Sequence, residues 1–501
     1  MNRQTVVLMG SVIVFFAMLF SMNYSTRKKQ NNTEVGSSSE PLVLFCAASN
    51  RAVMESIRTQ YEQEFQRPIQ IQYGASQTLL ASIEVSGSGD LFLPADDSFI
   101  EVGNQKGLLS EVLPLATMRG VVAVRRGNPK GIHSFSDLLR SEIRLVQASP
   151  DASAIGKRTR LALTESKSWD RLESATLAFR MTVTDVANDL VVDSADAGIV
   201  FDAVMTAFPD LEAIELPELN GIESKVSLAV ISSSKKPQAA LHFARYVAAR
   251  DRGKKQYAAH GFRVSDGDKW SDVPELSIFA GSMLRRAIED TLVSFERREG
   301  VRVTRVYNGC GILVAQMKAG QHPDVYFACD REFMNQVPDL FSTPIDVSMN
   351  ELVIMVHKGN PLEIQTLRDL TRSGLRVGVG HEKQCAMGWL TQNTLREGGV
   401  QKEVMENVTV QSPTGDMLVN QLRTGSLDAA IAYLSNASGS AEFLDAIQIR
   451  GLSCASATQP FAVADGSPNK LLAERLFQKL CSQDSKKIFQ AEGFRWKEPK
   501  P

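Results

Sequence analysis

The chain has 501 residues, a formal net charge of −2, and 43% hydrophobic against 22% charged residues. That length allows two or more domains, and the composition excludes general disorder. The balanced charge, with no basic stripe interleaved with aromatics, excludes nucleic acid as an expected partner.

In chain order, a short segment at residues 1–5 precedes an apolar run at 6–22 (VVLMGSVIVFFAMLFSM) that carries no charge. Its length lies between a signal-peptide core and a membrane span, so it reads as a signal-anchor or a signal peptide. Without a small-x-small cleavage site after it, the uncleaved anchor is the preferred reading. Arg27-Lys28-Lys29 follow the run and by the positive-inside rule favour a cytoplasmic carboxyl side. Residues 23–40 are polar and Gly/Ser-rich towards their end, as a flexible linker should be.

The run at 42–45 (LVLF) suits a strand buried on both faces of a parallel sheet. The small residues Ala47-Ala48-Ser49 follow, and then Val53, Met54, Ile57 and Tyr61 recur at the spacing of one helix face. A second strand is expected at 69–73, with Ser76 opening the next helix, and a third at 90–96. Alternating strands and helices imply an α/β fold with a mostly parallel sheet, whose ligands sit beyond the carboxyl ends of the strands. Ser49 and Ser76 at two consecutive helix starts make a plausible anion site, since free amides and the helix dipole favour negative charge there. The competing reading is that each serine merely caps its own helix. Arg51 is the one basic residue in either loop.

The chain is then written a second time. Phe45, Tyr73, Asp90 and Asp96 recur 234 residues later as Phe279, Tyr307, Asp324 and Asp330. Asn128-Pro129, Gly156 and Gly261-Phe262 recur 232 later as Asn360-Pro361, Gly388 and Gly493-Phe494. Such a period is far beyond the roughly 20–50 residues of solenoid or propeller units and means two whole domains of one fold. The expected division is a first domain at 41–267, a linker at 268–274 and a second domain at 275–501.

The six cysteines (Cys46, Cys310, Cys329, Cys385, Cys454, Cys481) have no CxxC spacing, and the histidines no HExxH. Zinc ribbons, thioredoxin-type centres and structural metal sites are therefore not expected. Buried free thiols are, for most of the six. No cofactor is implied, and the loops offer no nucleophile–base–acid set, so an enzyme is not expected.

The ordered motifs FCAASNRAV (45–53), YGASQTLL (73–80), GDLFLPADDSFI (89–100), VVAVRRGNP (121–129) and DAGIVF (196–201) resemble those of the periplasmic molybdate-binding proteins of ABC transporters. The second copy carries FAGSM (279–283), YNGCGILVAQMKAG (307–320), PDVYFACD (323–330), LVIMVHKGNP (352–361) and DAAIAY (428–433). The resemblance implies two tandem type 2 periplasmic-binding-protein-like domains. Each would have two α/β lobes joined by crossover strands, placed near 121–124 and 227–231 in the first copy and near 352–356 in the second. It also implies that the oxyanion is held by two serine hydroxyls, by amides at two further helix starts, and often by a tyrosine. Carried over, these are Ser49, Ser76 and the amides near Ala154-Ile155 and Val186, with Phe201 at the tyrosine's place. In the second copy they are Ser282, Cys310, the amides near Ala386-Met387 and Met417, and Tyr433. Phe201 cannot donate a hydrogen bond and Cys310 is a poor donor, so the first copy is the expected working site.

The function so implied, which outweighs the positive charges at 27–29 in setting the orientation, is an extracytoplasmic, membrane-anchored solute-binding protein delivering a tetrahedral oxyanion, molybdate or tungstate, to an ABC transporter permease. The alternative is a membrane-tethered oxyanion sensor or scaffold with one or both clefts degenerate.

Overall fold

The structure, a computed structural model, describes residues 40–499. The expected anchor at 6–22 and most of the linker at 23–40 lie outside that range. No helix among the described residues is long and apolar enough to cross a membrane.

The first domain contains strands β1 (Leu42–Ala47), β2 (Ile69–Gly74), β3 (Leu91–Leu93), β4 (Leu109–Arg125), β5 (Leu145–Ala148), β6 (Thr176–Arg180), β7 (Ala197–Phe201), β8 (Leu211–Ile214), β9 (Glu223–Ile231) and β10 (Arg263–Val264). Their order is β2-β1-β3-β9-β4-β7-β5-β6, with β8 and β10 paired to β4. Strands β2, β1 and β3 are parallel, as are β6, β5 and β7, while the crossing strands β4 and β9 run antiparallel to their neighbours. The second domain repeats the order in β11 (Glu275–Gly281), β12 (Arg302–Asn308), β13 (Val325–Phe327), β14 (Ile345–His357), β15 (Val377–Gly380), β16 (Val408–Ser412), β17 (Ala429–Tyr433), β18 (Leu444–Gln448), β19 (Ser456–Val463) and β20 (Arg495–Trp496). These are two tandem type 2 periplasmic-binding-protein-like domains, each with two α/β lobes and a cleft between them.

One long strand per domain serves both lobes. In β4, residues 109–119 pair with β9 in the first lobe, and 120–124 pair with β7 in the second. The crossing therefore falls at Arg119–Gly120, just before the expected 121–124, and β9 enters the first lobe near Glu223–Ser224 rather than at 227–231. In β14 the change of partner falls between Glu351 and Leu352, at the start of the expected span. Before the crossing the strands carry polar residues (Ser110, Glu111, Thr117 and Arg119 in β4; Asp346, Ser348, Asn350 and Glu351 in β14), and the apolar runs 121–124 and 352–356 mark the second-lobe stretch that follows it. Pro114 lacks an amide hydrogen, and the β4–β9 register slips between Pro114 and Ala116.

Local chemistry recurs between the copies. Asn128 and Asn360 both take left-handed backbone (φ 44° and 47°), and each side chain pairs in both directions with the backbone four residues on. Asparagine tolerates that conformation and supplies the local bonds, which explains the repeated Asn-Pro.

The helices that matter below are α1 (Arg51–Phe65), α2 (Ser76–Ser86), α3 (Ala154–Glu165), α4 (Val183–Val191), α5 (Pro237–Ala248), α6 (Arg285–Glu299), α7 (Cys310–Lys318), α8 (Ala386–Glu397), α9 (Gly415–Arg423) and α10 (Lys470–Leu480). Helix α1 buries Val53, Met54, Ile57 and Tyr61, the four residues the spacing picks out. Among the described residues, the two domains meet through ion pairs and hydrogen bonds between their first lobes. Glu299 at the end of α6 accepts from Arg475 of α10 at 2.7 and 3.1 Å and from Arg245 of α5 at 3.3 Å, all three being buried. Arg298 pairs with Glu111 of β4, and the Asp268 carboxylate accepts from the Leu471 and Leu472 amides at the start of α10.

Candidate functional site

In the first domain β1 and β2 end in register, Ala47 opposite Gly74. Ser49 and Ser76 each stand two residues beyond those ends, on neighbouring parallel strands. Ser49 lies inside a 3₁₀ turn (Ala48–Asn50) and Ser76 is the first residue of α2, where Ala75 holds the cap position. Neither helix start has a side-chain cap bond. The capping explanation for these serines therefore fails: a hydroxyl cannot be serving amides it does not touch.

Both hydroxyls are buried, at 8% and 2% exposure, and both accept. Ser76 Oγ takes the Ala95 amide at 3.1 Å, and Ser49 Oγ takes Asn50 Nδ2 at 3.4 Å. Among the described residues no acceptor takes the proton of either, so two buried O–H donors remain unspent beyond adjacent strand ends. Asn50 is itself fixed by the Tyr257 hydroxyl at 3.2 Å. Arg51 stacks over the Tyr73 ring at 4.2 Å, and Arg285 sits over Tyr307 in the same way at 5.1 Å.

The second lobe closes on this point. Ala152, just before α3, accepts from the Gln77 amide at 3.3 Å, and Thr184 of α4 donates to the Ala48 carbonyl at 3.4 Å. Arg158 of α3 grips Asp96 of the first lobe through two 2.9 Å bonds, and Lys157 reaches Ser98 at 3.2 Å. Ile155 is the second residue of α3, whose first-turn amides point toward the loop ends. The Val186 amide is already used, donating to Thr182 O at 3.4 Å, and Thr182 Oγ1 takes the Asp185 amide. The amides of α4 without a helical partner are those of Val183 and Thr184, two or three residues earlier than expected. Phe201 is buried at the end of β7.

The second domain places its counterparts differently. Met283 is the second residue beyond the end of β11 and so takes the position of Ser49; Ser282 takes that of Ala48. Ser282 is half-buried and, with Arg285, Thr414, Asp416 and Met417, lines a pocket of about 530 Å³. Met417 is exposed there, in the first turn of α9. Cys310 opens α7 as Ser76 opens α2, and its sulfur accepts from the Cys329 amide at 3.0 Å as Ser76 accepts from Ala95. Met387 is the buried second residue of α8. Tyr433, at the end of β17, is 2% exposed, and its hydroxyl has no partner among the described residues. Burial, helped by Cys329 and Asp330, pushes that phenol well up. The lobes touch where the Gly311 amide donates to Gln384 O at 3.0 Å. A Cβ on Gly309 would lie 2.4 Å from that same oxygen, and one on Gly311 would lie 2.1 Å from Lys383 O. A cavity of about 900 Å³ lies away from both clefts, beside β18.

Two lobes, a hinge of crossing strands, and helix starts converging on a cleft define a two-lobed ligand-binding domain, present twice. The chain belongs to the family of bacterial extracellular solute-binding proteins, which it matches over residues 42–263 and again over 276–495. That family binds solutes rather than transforming them. Among similar proteins, the molybdate-binding protein ModA of Mycobacterium tuberculosis is 28% identical over 222 residues, covering 42% of this chain and 79% of its own length. A putative binding protein of Haemophilus influenzae is 27% identical over 230 residues, covering 44% and 90%. Among solved structures, the Azotobacter vinelandii periplasmic molybdate-binding protein aligns at 16% identity and TM-score 0.40, covering 45% of this chain and 100% of its own. The substrate-binding domain of a putative molybdenum ABC transporter from Clostridium difficile aligns at 22% identity and TM-score 0.37, covering 45% and 99%.

Proposed function

We propose that this protein is an extracytoplasmic solute-binding protein whose first domain holds a tetrahedral oxyanion, molybdate or tungstate, and delivers it to an ABC transporter permease. The apolar run at 6–22 would keep it at the outer face of the cytoplasmic membrane. One observation carries the reading: Ser49 and Ser76 are buried beyond adjacent strand ends, and neither hydroxyl caps its helix or spends its proton. Neutral donors at helix starts suit a compact dianion that must be bound and then released. The Arg158–Asp96 pair across the cleft supplies a closure contact that a ligand-bound state would stabilise. The names of the molybdate-binding relatives support the same ligand class. No covalent step is involved.

Calorimetric titration of the full chain with molybdate, tungstate, sulfate and phosphate tests this. Molybdate or tungstate should bind at sub-millimolar concentration, and the pair Ser49→Ala with Ser76→Ala should abolish that binding. Absence of binding by all four anions, or full affinity in the double variant, sinks the proposal.

A further inference from the structure

The two clefts differ most in their sulfur content. Counted from strand and helix ends, Ser49, Ser76, Ala95, Ser153 and Ile155 of the first domain become Met283, Cys310, Cys329, Cys385 and Met387 in the second. Every one of these replacements brings in sulfur, and all five sulfur-bearing residues are buried. The backbone is trimmed to accommodate them. Gly281 stands where the first domain has Ala47, and a Cβ there would lie 2.1 Å from Cys329 Sγ and 3.3 Å from Cys310 Sγ. Gly380 stands where the first domain has Ala148; a Cβ there would meet the Gly388 backbone at 2.5 and 2.8 Å and Cys385 Sγ at 2.9 Å. The end of β11 has thus lost a methyl group at the point where two thiols sit. A donor lost by drift would need no such matched change. The unpartnered Tyr433 hydroxyl lies within electrostatic reach of all three cysteines.

We propose that the second cleft is a binding site for a soft monovalent d¹⁰ cation, copper(I), held by the Cys310 and Cys329 thiolates, with Cys385 facing them from the other lobe. This rests on the reading of the second domain as a solute-binding one. Thiolate and thioether sulfur selects copper(I) over the hard cations that carboxylates and carbonyls prefer. Among the described residues no three Cys, His, Asp or Glu side chains already stand at ligand spacing, so two adjoining thiols form the core of the site. The exchange is redox-neutral: one Cu⁺ and two thiols give a bis-thiolate complex of charge −1 and release two protons to solvent. The scaffold suits that charge. Cys310 opens α7 and Cys385 caps α8, so the complex would form where two helix N-termini point. The sister domain offers its helix starts to an anion that enters as one; here the anion would be assembled in place.

The test uses the full chain, reduced and kept anaerobic, competing for copper(I) against the coloured copper(I)–bicinchoninate complex. Wild type should withdraw one equivalent. The variant Cys310→Ser with Cys329→Ala, which installs the first domain's own residues, should withdraw none. A variant lacking the other thiols (Cys46→Ala, Cys454→Ser, Cys481→Ala) should still withdraw one. Failure of wild type to compete, or retention of copper by the Cys310/Cys329 variant, overturns the proposal. Molybdate calorimetry on the same samples separates the two readings. Copper uptake without molybdate binding would fail the first-domain assignment alone, and molybdate binding without copper uptake would fail this one alone.

Discussion

Replacing Glu299 by Gln tests what fixes the two domains to each other. Its carboxylate takes two bonds from Arg475 and one from Arg245, with Glu299 1%, Arg475 6% and Arg245 8% exposed. Glutamine keeps the shape but removes the charge, leaving two buried guanidinium groups without the carboxylate they both bond, though Asp268 and Glu111 still act on Arg475. Arg245 would retain its bond to the Glu299 backbone carbonyl, so the loss falls mainly on Arg475. Breaking a buried pair from one side costs about 3–5 kcal/mol, and the retained contact argues for the lower end, about 3 kcal/mol. Urea unfolding of the full chain, followed by tryptophan fluorescence, should show a transition lowered by that amount. Added salt should not restore it, because buried charges are screened little. The exposed Lys106–Glu84 pair serves as the control, since Lys106→Ala should cost under about 1 kcal/mol. A Glu299→Gln loss below about 1 kcal/mol would refute the argument that this triad holds the interface.

Three further outcomes are expected. Ser76→Cys, which gives the first cleft the second domain's residue, should weaken molybdate binding by roughly 10- to 100-fold, the worth of one hydrogen bond to a charged acceptor. Unchanged affinity by calorimetry would remove that hydroxyl from the site. Gly311→Gln, the first domain's residue at the equivalent place, would drive a Cβ to 2.1 Å from Lys383 O. It should hold the second cleft open, seen as faster amide exchange around 309–311 and 383–385; unaltered exchange there would contradict the close approach. Burial holds the Lys254 ammonium down to about 8, against an ordinary value of 10.5. The unfolded chain therefore binds the extra proton between those values, and stability should rise with pH across that window. Measured against Lys254→Met, wild type should gain on the order of 2 kcal/mol between pH 7 and 10.5, and a flat difference would show that the lysine is not desolvated.

Much of the fold could be read from the residues because its signals are local. The inner face of α1, the strands at 42, 69 and 91, and the Asn-Pro turns each depend on neighbours within a few positions. The hinge is legible only to within a few residues, since the apolar runs at 121–124 and 352–356 mark the second-lobe stretch of each strand rather than the change of partner itself. Ser49 resembles a cap in sequence because a three-residue 3₁₀ turn before α1 leaves no compositional mark. Pairing Ser282 with Ser49 follows the motif rather than the strand end, and the two differ by one residue. Cys329 carries no signal in the sequence for a different reason. Its counterpart is Ala95, which donates a backbone amide and no side chain, so no motif marks that position as part of a site. Only the strand ends of the two copies, counted in parallel, bring it out.

The joint between the domains has a mechanical consequence. Helix α5, β4 before its crossing, α6 and α10 all belong to first lobes, so the two first lobes form one chassis. The second lobes hang from it on separate hinges, and the buried Arg245–Glu299–Arg475 contacts of the joint involve residues of first lobes alone. A swing of one outer lobe need not displace the other. The two compartments should then fill independently, each saturating along its own simple hyperbola whatever the occupancy of its twin.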